Sequence, residues 1–379
     1  MNLLIHDLNH EELNKIFPDL SGWEVISDNG TIRPCVGCFG CWNKDPGHCI
    51  VTDGYDNMGS LIHHAEEVTV ISRYTYGGFS SFVKNVFDRC LAYVLPHFEI
   101  IDNETHHQKR YEEDKPFTFI FYGHRLSNEE KKSAERYVEA VCTNIRGYVK
   151  ELIFWDHEDD SRQVSVLPNE TEGKIALLNA SMRQGNSRKL GLELQKKLKQ
   201  ENELIEIAPY VRKPETLMER LEDVPVIVLC TPLYVDGLPS QLIRLLETFE
   251  KRYHGTAKRI YVLANMGLYE SRQLVNLFDA IRQWCDRMGF AYCGGLGVSA
   301  GELAGGFLDF SQIEKWPLNK INEGIAALAE TIDKRKKMDN IYSGPYRFPR
   351  SLYVAIANSG WKRMAKKNGL KNEDLFRRL

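Results

Sequence analysis

Short apolar runs alternate with segments of helical periodicity along the second half of the chain. The runs are residues 174–179, 203–209, 225–232, 259–267 and 291–299. A nearly uniform apolar run such as 225–232 is typical of a parallel strand buried on both faces. Between the runs, apolar residues recur at the spacing of one helix face, as in 240–253. Five strands alternating with helices predict a doubly wound, parallel α/β sheet over residues 174–338.

The first half repeats this alternation less clearly. Strand-like runs occur at 2–8, 23–28, 68–74, 117–124 and 150–157. Residues 72–89 align with residues 231–248, which places Gly78 opposite Gly237 and Ser81 opposite Ser240. The shared order of strand, glycine turn and helix predicts a tandem duplication.

The same patterns predict four segments. The first is an α/β domain at 1–160, and the second is a polar linker at 161–173 that contains a proline and a glycine. An α/β domain at 174–338 and a basic tail at 339–379 follow. A helix is expected near 350–367 in the tail.

Composition excludes several classes of protein. The 379 residues are 43% hydrophobic and 27% charged, which is ordinary for a globular protein. No apolar run reaches the roughly 18 residues of a membrane span, and the N-terminus has no signal-peptide pattern, so a cytoplasmic protein is expected. The net charge of −3 gives no general case for nucleic-acid binding.

Charge is unevenly distributed along the chain. Residues 334–379 contain 13 Lys/Arg and 3 Asp/Glu, a net +10, so the other 333 residues carry −13. The predicted tail helix would place Leu352, Ile356, Trp361 and Met364 broadly on one side. Such a basic helix either packs on the body or on a second subunit, or lies on an anionic membrane. It could also attract an acidic redox partner.

The loop after the first strand of the second copy has the composition of a phosphate site. Residues 179–187 join a strand to a helix N-terminus, where unpaired N–H groups and the helix dipole favour an anion. Ser181, Asn186 and Ser187 add side-chain donors, and Arg183 adds positive charge. A plain helix-capping turn is the alternative, because Ser and Asn also cap helices.

Two further loops are expected at the same edge of the sheet. Residues 231–240 follow the third strand, and residues 265–269 follow the fourth. Ligands of open α/β sheets bind outside the carboxyl ends of the strands, where the strand order reverses. Three loops converging there could hold a phosphate, a chain and a flat ring.

The loops at 180–187 (ASMRQGNS) and 231–240 (TPLYVDGLPS) resemble those of the flavodoxin-like NAD(P)H-dependent FMN reductases, a family that includes multimeric flavodoxins and iron–sulfur flavoproteins. The resemblance covers residues 174–333. It implies two flavodoxin-like doubly wound parallel five-stranded sheets in tandem, with a basic helical C-terminal tail. It also implies FMN in the second copy, with the phosphate at residues 181–187. The isoalloxazine ring would lie against Pro232, Leu233, Tyr234, Val235, Asp236, Gly237, Met266, Gly267 and Leu268.

The first copy departs from this pattern at its first loop. Residues 6–12 contain Asp7, Glu11 and Glu12, and no Gly, Ser or Arg. Like charges there oppose a phosphate, so we expect that this loop does not bind FMN. The degenerate copy is instead expected to act as a built-in partner for the second, which predicts a monomeric pseudo-dimer or a homodimer.

Four of the nine cysteines lie within one short segment of the first copy. Cys35, Cys38, Cys41 and Cys49 have the spacing C-x2-C-x2-C-x7-C. Four thiolates suit either a [4Fe–4S] cluster or tetrahedral zinc, and free thiols in a packed loop are the third alternative. The resemblance to iron–sulfur flavoproteins favours [4Fe–4S] over zinc.

Two classes of function stay open on the sequence. The first is an FMN-dependent oxidoreductase or electron carrier, with NAD(P)H as a transient donor and a small molecule or a redox protein as acceptor. The second is a cofactor-poor binding or regulatory protein that retains the fold. No residue is assigned as catalytic, and neither nucleic acid nor a membrane span is expected.

Overall fold

The computed structural model of the protein describes residues 1–157, 173–301, 303 and 312–379. Compactness divides the chain into two units, Met1–Asp160 with Val354–Leu379, and Ser161–Tyr353. All of the predicted linker except Gly173 lies outside the described residues. The segment predicted as a single basic tail is shared, because its residues up to Tyr353 group with the second unit and the rest group with the first.

The first unit contains one large parallel sheet. Its strands are β1 (Asn2–His6), β2 (Trp23–Ile26), β3 (Val68–Arg73), β4 (Val94–Ile101), β5 (Glu104–Lys109), β6 (Lys115–His124) and β7 (Gly147–His157). Its helices are α1 (His10–Ile16), α2 (Gly40–Asn43), α3 (Met58–His64), α4 (Ser81–Asp88) and α5 (Asn128–Ile145), with a 3-10 turn at Cys90–Tyr93. The five-stranded sheet has the order β2-β1-β3-β6-β7. This is the flavodoxin-like order 2-1-3-4-5, which confirms the predicted fold class.

An antiparallel hairpin departs from the sequence prediction for this unit. The apolar spacing of residues 80–95 predicts one continuous helix, but α4 ends at Asp88 and β4 begins at Val94. β4 pairs with β5 in a two-stranded sheet of its own. Asp102 and Asn103 form the turn with positive φ angles of 46° and 64°, a conformation that Asn and Asp adopt more readily than most residues.

The second unit repeats the order and adds an edge strand. Its strands are β8 (Ile175–Asn179), β9 (Asn202–Glu206), β10 (Val226–Pro232), β11 (Arg259–Asn265), β12 (Ala291–Val298) and β13 (Ile341–Ser343). Its helices are α6 (Asn186–Lys197), α7 (Pro214–Arg220), α8 (Ser240–Arg252), α9 (Val275–Met288) and α10 (Asn319–Asp333), with 3-10 turns at Ala208–Tyr210 and Ser271–Leu274. The sheet order is β13-β12-β11-β10-β8-β9. Five strands were predicted, and the sixth comes from residues assigned to the tail.

The final helix of the chain, α11, spans Arg350–Lys367 as expected, and a 3-10 turn follows at Glu373–Phe376. Among the described residues, no helix combines the length and the apolar character needed to cross a bilayer.

Burial of the central strands explains their composition. β3 and β10 are buried along all but their last residue, because helices cover both faces of a doubly wound sheet. On one face of the second sheet, leucines and isoleucines of α6 and α10 pack against β8, β10 and β12. The strands therefore fix the position of their carboxyl ends, where the predicted site loops begin.

A buried lysine occupies equivalent positions in the two units. Lys115 opens β6, the fourth strand of the first sheet order, and donates to the carbonyl oxygens of His63 (3.1 Å) and Ala65 at the end of α3. Lys258 precedes β11, the fourth strand of the second sheet when its order is read from β9. It donates over 2.6–2.9 Å to three carbonyl oxygens that follow α7: Leu221, Glu222 and Val224. A duplication would produce this parallel, and the duplication itself stays a prediction.

Replacing Lys258 by methionine should destabilise the protein. The side chain of Lys258 is 0% exposed, so its loss leaves buried carbonyl oxygens without a donor. We expect the free energy of unfolding to fall by about 2–4 kcal/mol in urea denaturation. Lys251→Met, at an exposed position of α8, is the matched control and should change it by less than about 0.5 kcal/mol. Equal effects of the two variants would contradict the capping role of Lys258.

Candidate functional site

The first helix of the second unit begins without a side-chain cap. Residues 180–185 connect β8 to α6, and Gly185 is the N-cap residue in an extended conformation. Within the described part of the chain, no side chain accepts from the first turn of α6. The unpaired N–H groups of such a turn favour an anion. Arg183 lies exposed in the same loop.

The predicted phosphate donors are partly engaged with protein groups. The Ser181 hydroxyl oxygen accepts from the backbone N–H of Arg183 at 3.4 Å. The Asn186 side-chain amide donates to the carbonyl oxygen of Gly301 at 2.9 Å, and the Ser187 hydroxyl donates to Asn265 Oδ1 at 2.5 Å. The last two side chains therefore hold the start of α6 against loops that follow other strands.

The loop after β10 forms a tight turn. Tyr234 and Gly237 exchange two backbone hydrogen bonds of 3.1 and 3.0 Å. Val235 and Asp236 lie between them with positive φ angles of 36° and 60°. The loop residues from Pro232 to Val235 are half-buried, while Asp236 and Gly237 are buried. The turn leaves a partly exposed wall at the carboxyl edge of the sheet.

The loop after β11 adjoins this turn. The backbone N–H of Leu233 donates to the carbonyl oxygen of Asn265 at 2.8 Å, which connects the two loops. The side chains of Met266 and Leu268 are buried, and Gly267 is half-buried. The structure thus brings the three predicted loops together at one edge of the sheet. Of Met266, Gly267 and Leu268, however, only Gly267 is partly exposed.

The sequence did not identify the segment that supports these loops. Ala300 and Gly301 follow β12 and donate from their backbone N–H groups to the carbonyl oxygens of Leu268 and Met266, each at 2.8 Å. A Cβ atom on Gly301 would lie 3.2 Å from the Met266 carbonyl oxygen and 3.5 Å from Asn186 Nδ2. A small residue therefore sets the approach of this segment to α6. A strand followed by Ser-Ala-Gly is too common a pattern to have indicated it.

The equivalent loop of the first unit is shorter and caps its own helix. Only Asp7, Leu8 and Asn9 separate β1 from α1. The Asn9 side chain accepts from the N–H groups of Glu11 and Glu12, and the Glu12 carboxylate accepts from the Asn9 N–H. This capping box satisfies the donors that a phosphate would use.

Asp7 forms hydrogen bonds at the carboxyl ends of β1 and β3. Its backbone N–H donates to the Ile71 carbonyl oxygen, as that of Ala180 does to Cys230, so Asp7 and Ala180 are equivalent in register. The Asp7 carboxylate accepts from the Arg73 N–H at 3.0 Å. Burial raises the pKa of Asp7, although hydrogen bonds from Ser80 and Arg73 oppose that shift. These contacts agree with the expectation that the first loop does not hold FMN, which stays a prediction.

The tight turn that follows β10 has a counterpart after β3 in the first unit. Thr75 and Gly78 exchange backbone hydrogen bonds of 2.9 and 3.0 Å, with Tyr76 and Gly77 at positive φ between them. This is the turn of Tyr234–Gly237, in the register that the sequence alignment gives. In the first unit, however, the turn is buried along its length.

The four clustered cysteines lie in the segment between β2 and α3, which includes the short helix α2; we call residues 33–56 the cysteine loop. Cys38 is exposed, and the other three are partly buried. Backbone N–H groups of Gly37 and Gly40 donate to the sulfur atoms of Cys35 and Cys38 at 3.5 and 3.4 Å.

Burial and the proximity of the cysteines to one another disfavour deprotonation of Cys35 and Cys41. Burial first, and the charge of Asp88 second, raise the pKa of Cys35 to about 12. Burial followed by the charges of the other three clustered cysteines raises the pKa of Cys41. The four cysteines therefore lie close together, and burial favours the neutral thiol over the thiolate at Cys35 and Cys41.

A buried arginine anchors the cysteine loop, and a second lies near it. Arg89, whose side chain is fully buried, contacts Asp53 Oδ2 at 2.5 Å and donates to the Val51 carbonyl oxygen at 2.6 Å. Arg110 is also buried and donates only to carbonyl oxygens among its described partners, including Ala92 at 2.7 Å. Burial lowers the pKa of Arg110 to about 10, while the nearby Cys41 charge opposes that shift.

The C-terminal segment packs on the cysteine loop. Trp361 of α11 forms edge-to-face contacts with Phe39 and Trp42, with ring centroids 5.3 and 5.2 Å apart. The Asn368 side chain donates to the Asn43 carbonyl oxygen at 2.7 Å, and Arg377 donates to that of Pro46 at 2.9 Å. Of the alternatives for the tail, the structure therefore has it packed on the body, although Leu352 and Met364 of its expected apolar side stay exposed.

The cysteine geometry does not fit a bound metal as it stands. Within residues 1–157, 173–301, 303 and 312–379, no group of three or more His, Cys, Asp or Glu side chains is arranged to hold a metal ion. A [4Fe–4S] cluster or zinc at Cys35, Cys38, Cys41 and Cys49 therefore stays a prediction.

Comparison with known proteins yields weak likenesses. No protein-family model matches the sequence, and no curated protein matches it. A Trp repressor binding protein from Bacillus subtilis is similar at 18% identity over 33% of this chain and 83% of its own, with a TM-score of 0.29. A flavone reductase is similar at 14% identity over 48% and 70%, with a TM-score of 0.33. An azoreductase from Bacillus anthracis str. Sterne is similar at 11% identity over 43% and 100%, with a TM-score of 0.32. These scores support neither a family nor an activity, and the fold assignment rests on strand order.

Truncation of Trp361 should loosen the cysteine loop. Trp361 is 6% exposed, so Trp361→Ala should lower the free energy of unfolding by about 3–5 kcal/mol. It should also speed alkylation of Cys35, Cys41 and Cys49, measured by mass spectrometry after brief iodoacetamide treatment. Trp316→Ala, at a side chain that is 59% exposed, is the control. Unchanged alkylation rates in Trp361→Ala would contradict a protective contact.

His107 should make stability depend on pH. Burial lowers its pKa from 6.5 to about 4, and its ring packs on Trp42. Because the native state holds His107 neutral, its contribution is complete above pH 6.5 and is lost as the pH falls towards about 4. When the pH falls from 7.5 to 5, the free energy of unfolding measured in urea should decrease by about 2 kcal/mol more in wild type than in His107→Phe. The buried histidines His6 and His97 remain in both proteins, so parallel pH profiles would refute this role for His107.

Proposed function

We propose that this protein is an FMN-dependent oxidoreductase or electron-transfer flavoprotein that binds FMN in its second unit. The observation that carries the proposal is the pairing of an uncapped helix start with a partly exposed tight turn, both at the carboxyl edge of one sheet. The strand order reverses between β8 and β10, which is where ligands of this fold bind.

The residues present suit each part of FMN. The N–H groups at the start of α6 would bind the phosphate, and Arg183 would add a positive charge. The turn at Pro232–Gly237 and the backbone at Gly267 would flank the ring. Asn186, Ser187 and Asn265 would act as positioning residues, since they hold the loops together. When bound, FMN supplies hydride and single-electron chemistry, while the protein orients it and limits access of water.

The donor and the acceptor belong to the same proposal. NAD(P)H would act as a transient donor, and a small molecule or a redox protein would accept the electrons. An arrangement as monomeric pseudo-dimer or homodimer also stays a prediction. Iron–sulfur binding would be tested by iron and acid-labile sulfide assays on wild type and Cys38→Ser, where equal iron contents would exclude the cysteine loop as its site.

A cofactor-poor binding protein is the second candidate, and one observation favours it. The first unit retains the full strand order but has its phosphate position filled by Asp7 and a capping box. The fold is therefore compatible with loss of the cofactor. A protein that is colourless as purified and does not take up FMN would establish this alternative.

Charge reversal at Arg183 should weaken FMN binding selectively. Titrations of flavin-free protein, followed by quenching of flavin fluorescence, should give a Kd for FMN at least about tenfold weaker in Arg183→Glu. Affinity for riboflavin, which has no phosphate, should not change. Arg212→Glu, exposed on the same unit, is the control of equal charge. Equal losses for FMN and riboflavin would refute the phosphate assignment.

A further inference from the structure

The outer side of the C-terminal segment carries concentrated positive charge. We call the exposed residues Lys362, Arg363, Lys366, Lys367 and Lys371 the cationic face. Residues 354–372 contain no Asp or Glu, and the two acidic residues that follow, Glu373 and Asp374, lie at the end of this stretch beside Lys371, where the Asp374 carboxylate accepts from the Lys371 backbone N–H at 2.7 Å. The first four recur with the helical period, which places them together on one side of α11.

The cationic face has no ionic partner among the described residues. The ion pairs near this end of the chain are formed by Arg377 with Asp45 and by Arg378 with Glu112. None of the five members of the face takes part in an ion pair in the described structure. The charge is therefore available to a second molecule.

Packing beneath the face makes it rigid. Trp361 and Ala365 are buried and alternate with its members along α11. After the helix, Arg110 Nη1 donates to the Leu375 carbonyl oxygen at 3.0 Å, which fixes the following turn. Because these side chains already hold the backbone in place, binding would cost little further ordering of the main chain.

The same packing favours a protein partner over a membrane. A helix that lies on a bilayer buries its apolar side in the lipid. Here the largest apolar side chain of the segment, Trp361, is buried against Phe39 and Trp42. Membranes and nucleic acids are also extended anionic surfaces, and residues 1–160 of the unit that carries the face contain 15 Lys/Arg and 27 Asp/Glu, a net −12. A small protein with one acidic patch avoids most of that repulsion, because charges are screened over about 8–10 Å.

We propose that the cationic face docks a small protein through a carboxylate-rich surface. The identification of that protein as a redox partner rests on the proposed function, whereas the docking surface does not. Electrostatic complementarity of this kind raises the association rate and makes binding sensitive to salt.

Binding to a small acidic flavodoxin tests the proposal with the full-length protein. The flavodoxin is immobilised, and Kd is measured by biolayer interferometry at about 25 and about 300 mM NaCl, which span strong and weak screening. The test variant carries Lys362→Gln, Arg363→Gln, Lys366→Gln and Lys367→Gln. The control removes the same charge from exposed positions of the second unit: Arg212→Gln, Lys213→Gln, Arg244→Gln and Lys251→Gln.

At low salt, we expect the Kd of the test variant for the flavodoxin to be at least about tenfold higher than that of the control. For wild type, we expect Kd to rise at least about tenfold from the lower to the higher salt concentration. An unchanged unfolding midpoint in both variants excludes loss of the fold as the cause. No binding by wild type, or equal Kd values for the two variants, would overturn the proposal. Tighter binding to phosphatidylserine vesicles or to a short DNA duplex than to the flavodoxin would overturn the partner class.

The measurement is repeated on flavin-free protein to separate it from the proposed function. Binding that persists in a protein unable to take up FMN supports the docking surface while the proposed function fails. Loss of flavodoxin binding in a protein that takes up FMN normally overturns the docking surface alone.

Discussion

The backbone N–H groups at the start of the first helix must find acceptors in each unit, and the two units meet this need in opposite ways. In the first unit, Asn9 and Glu12 form a capping box, and the Asp7 carboxylate occupies the adjoining strand edge. In the second unit, the longer loop ends at Gly185, and no described side chain caps α6. Buried polar groups are costly without partners, so the second arrangement favours an external anion.

A single register position accounts for much of this difference. Arg73 in the first unit aligns with Pro232 in the second. The Arg73 backbone N–H requires an acceptor, which Asp7 supplies, whereas proline has no N–H to satisfy. A small, uncharged Ala180 can therefore stand where Asp7 stands in the first unit. The same strand order thus accommodates a carboxylate at this edge in the first unit and a small apolar residue in the second. The difference depends on few residues.

The sequence predicts the parallel sheets because buried parallel strands are nearly uniform apolar runs. It fails where the signal is short or depends on distant residues. Ile341–Ser343 is too short to show a period, yet it pairs with β12. The β4–β5 hairpin was hidden because Cys90–Tyr93 continues the apolar pattern of α4 as a 3-10 turn.

In the candidate site, too, local sequence signals predict some residues, and contacts between distant residues go unpredicted. Loop composition and position at the strand ends pointed to residues 181–187 and 232–237, because both properties are local. The supporting contacts of Asn265 and Gly301 join segments far apart in sequence, so no local pattern reveals them. Likewise, the cysteine spacing indicates a cluster, but it does not fix the side-chain directions on which metal binding depends.

Charge in the C-terminal segment follows from how that segment is buried. A tail with net positive charge is unfavourable to bury, so its charged side chains must face outward wherever its apolar ones pack. Trp361 and Leu375 are buried, and Arg110 donates to the Leu375 backbone carbonyl instead of pairing with a carboxylate. The buried side of the segment is therefore held by aromatic contacts and by hydrogen bonds of its uncharged groups, such as Asn358 with Phe98. Among the described residues its lysine side chains form no ion pair, and the packing of Trp361 on the cysteine loop leaves the cationic face exposed.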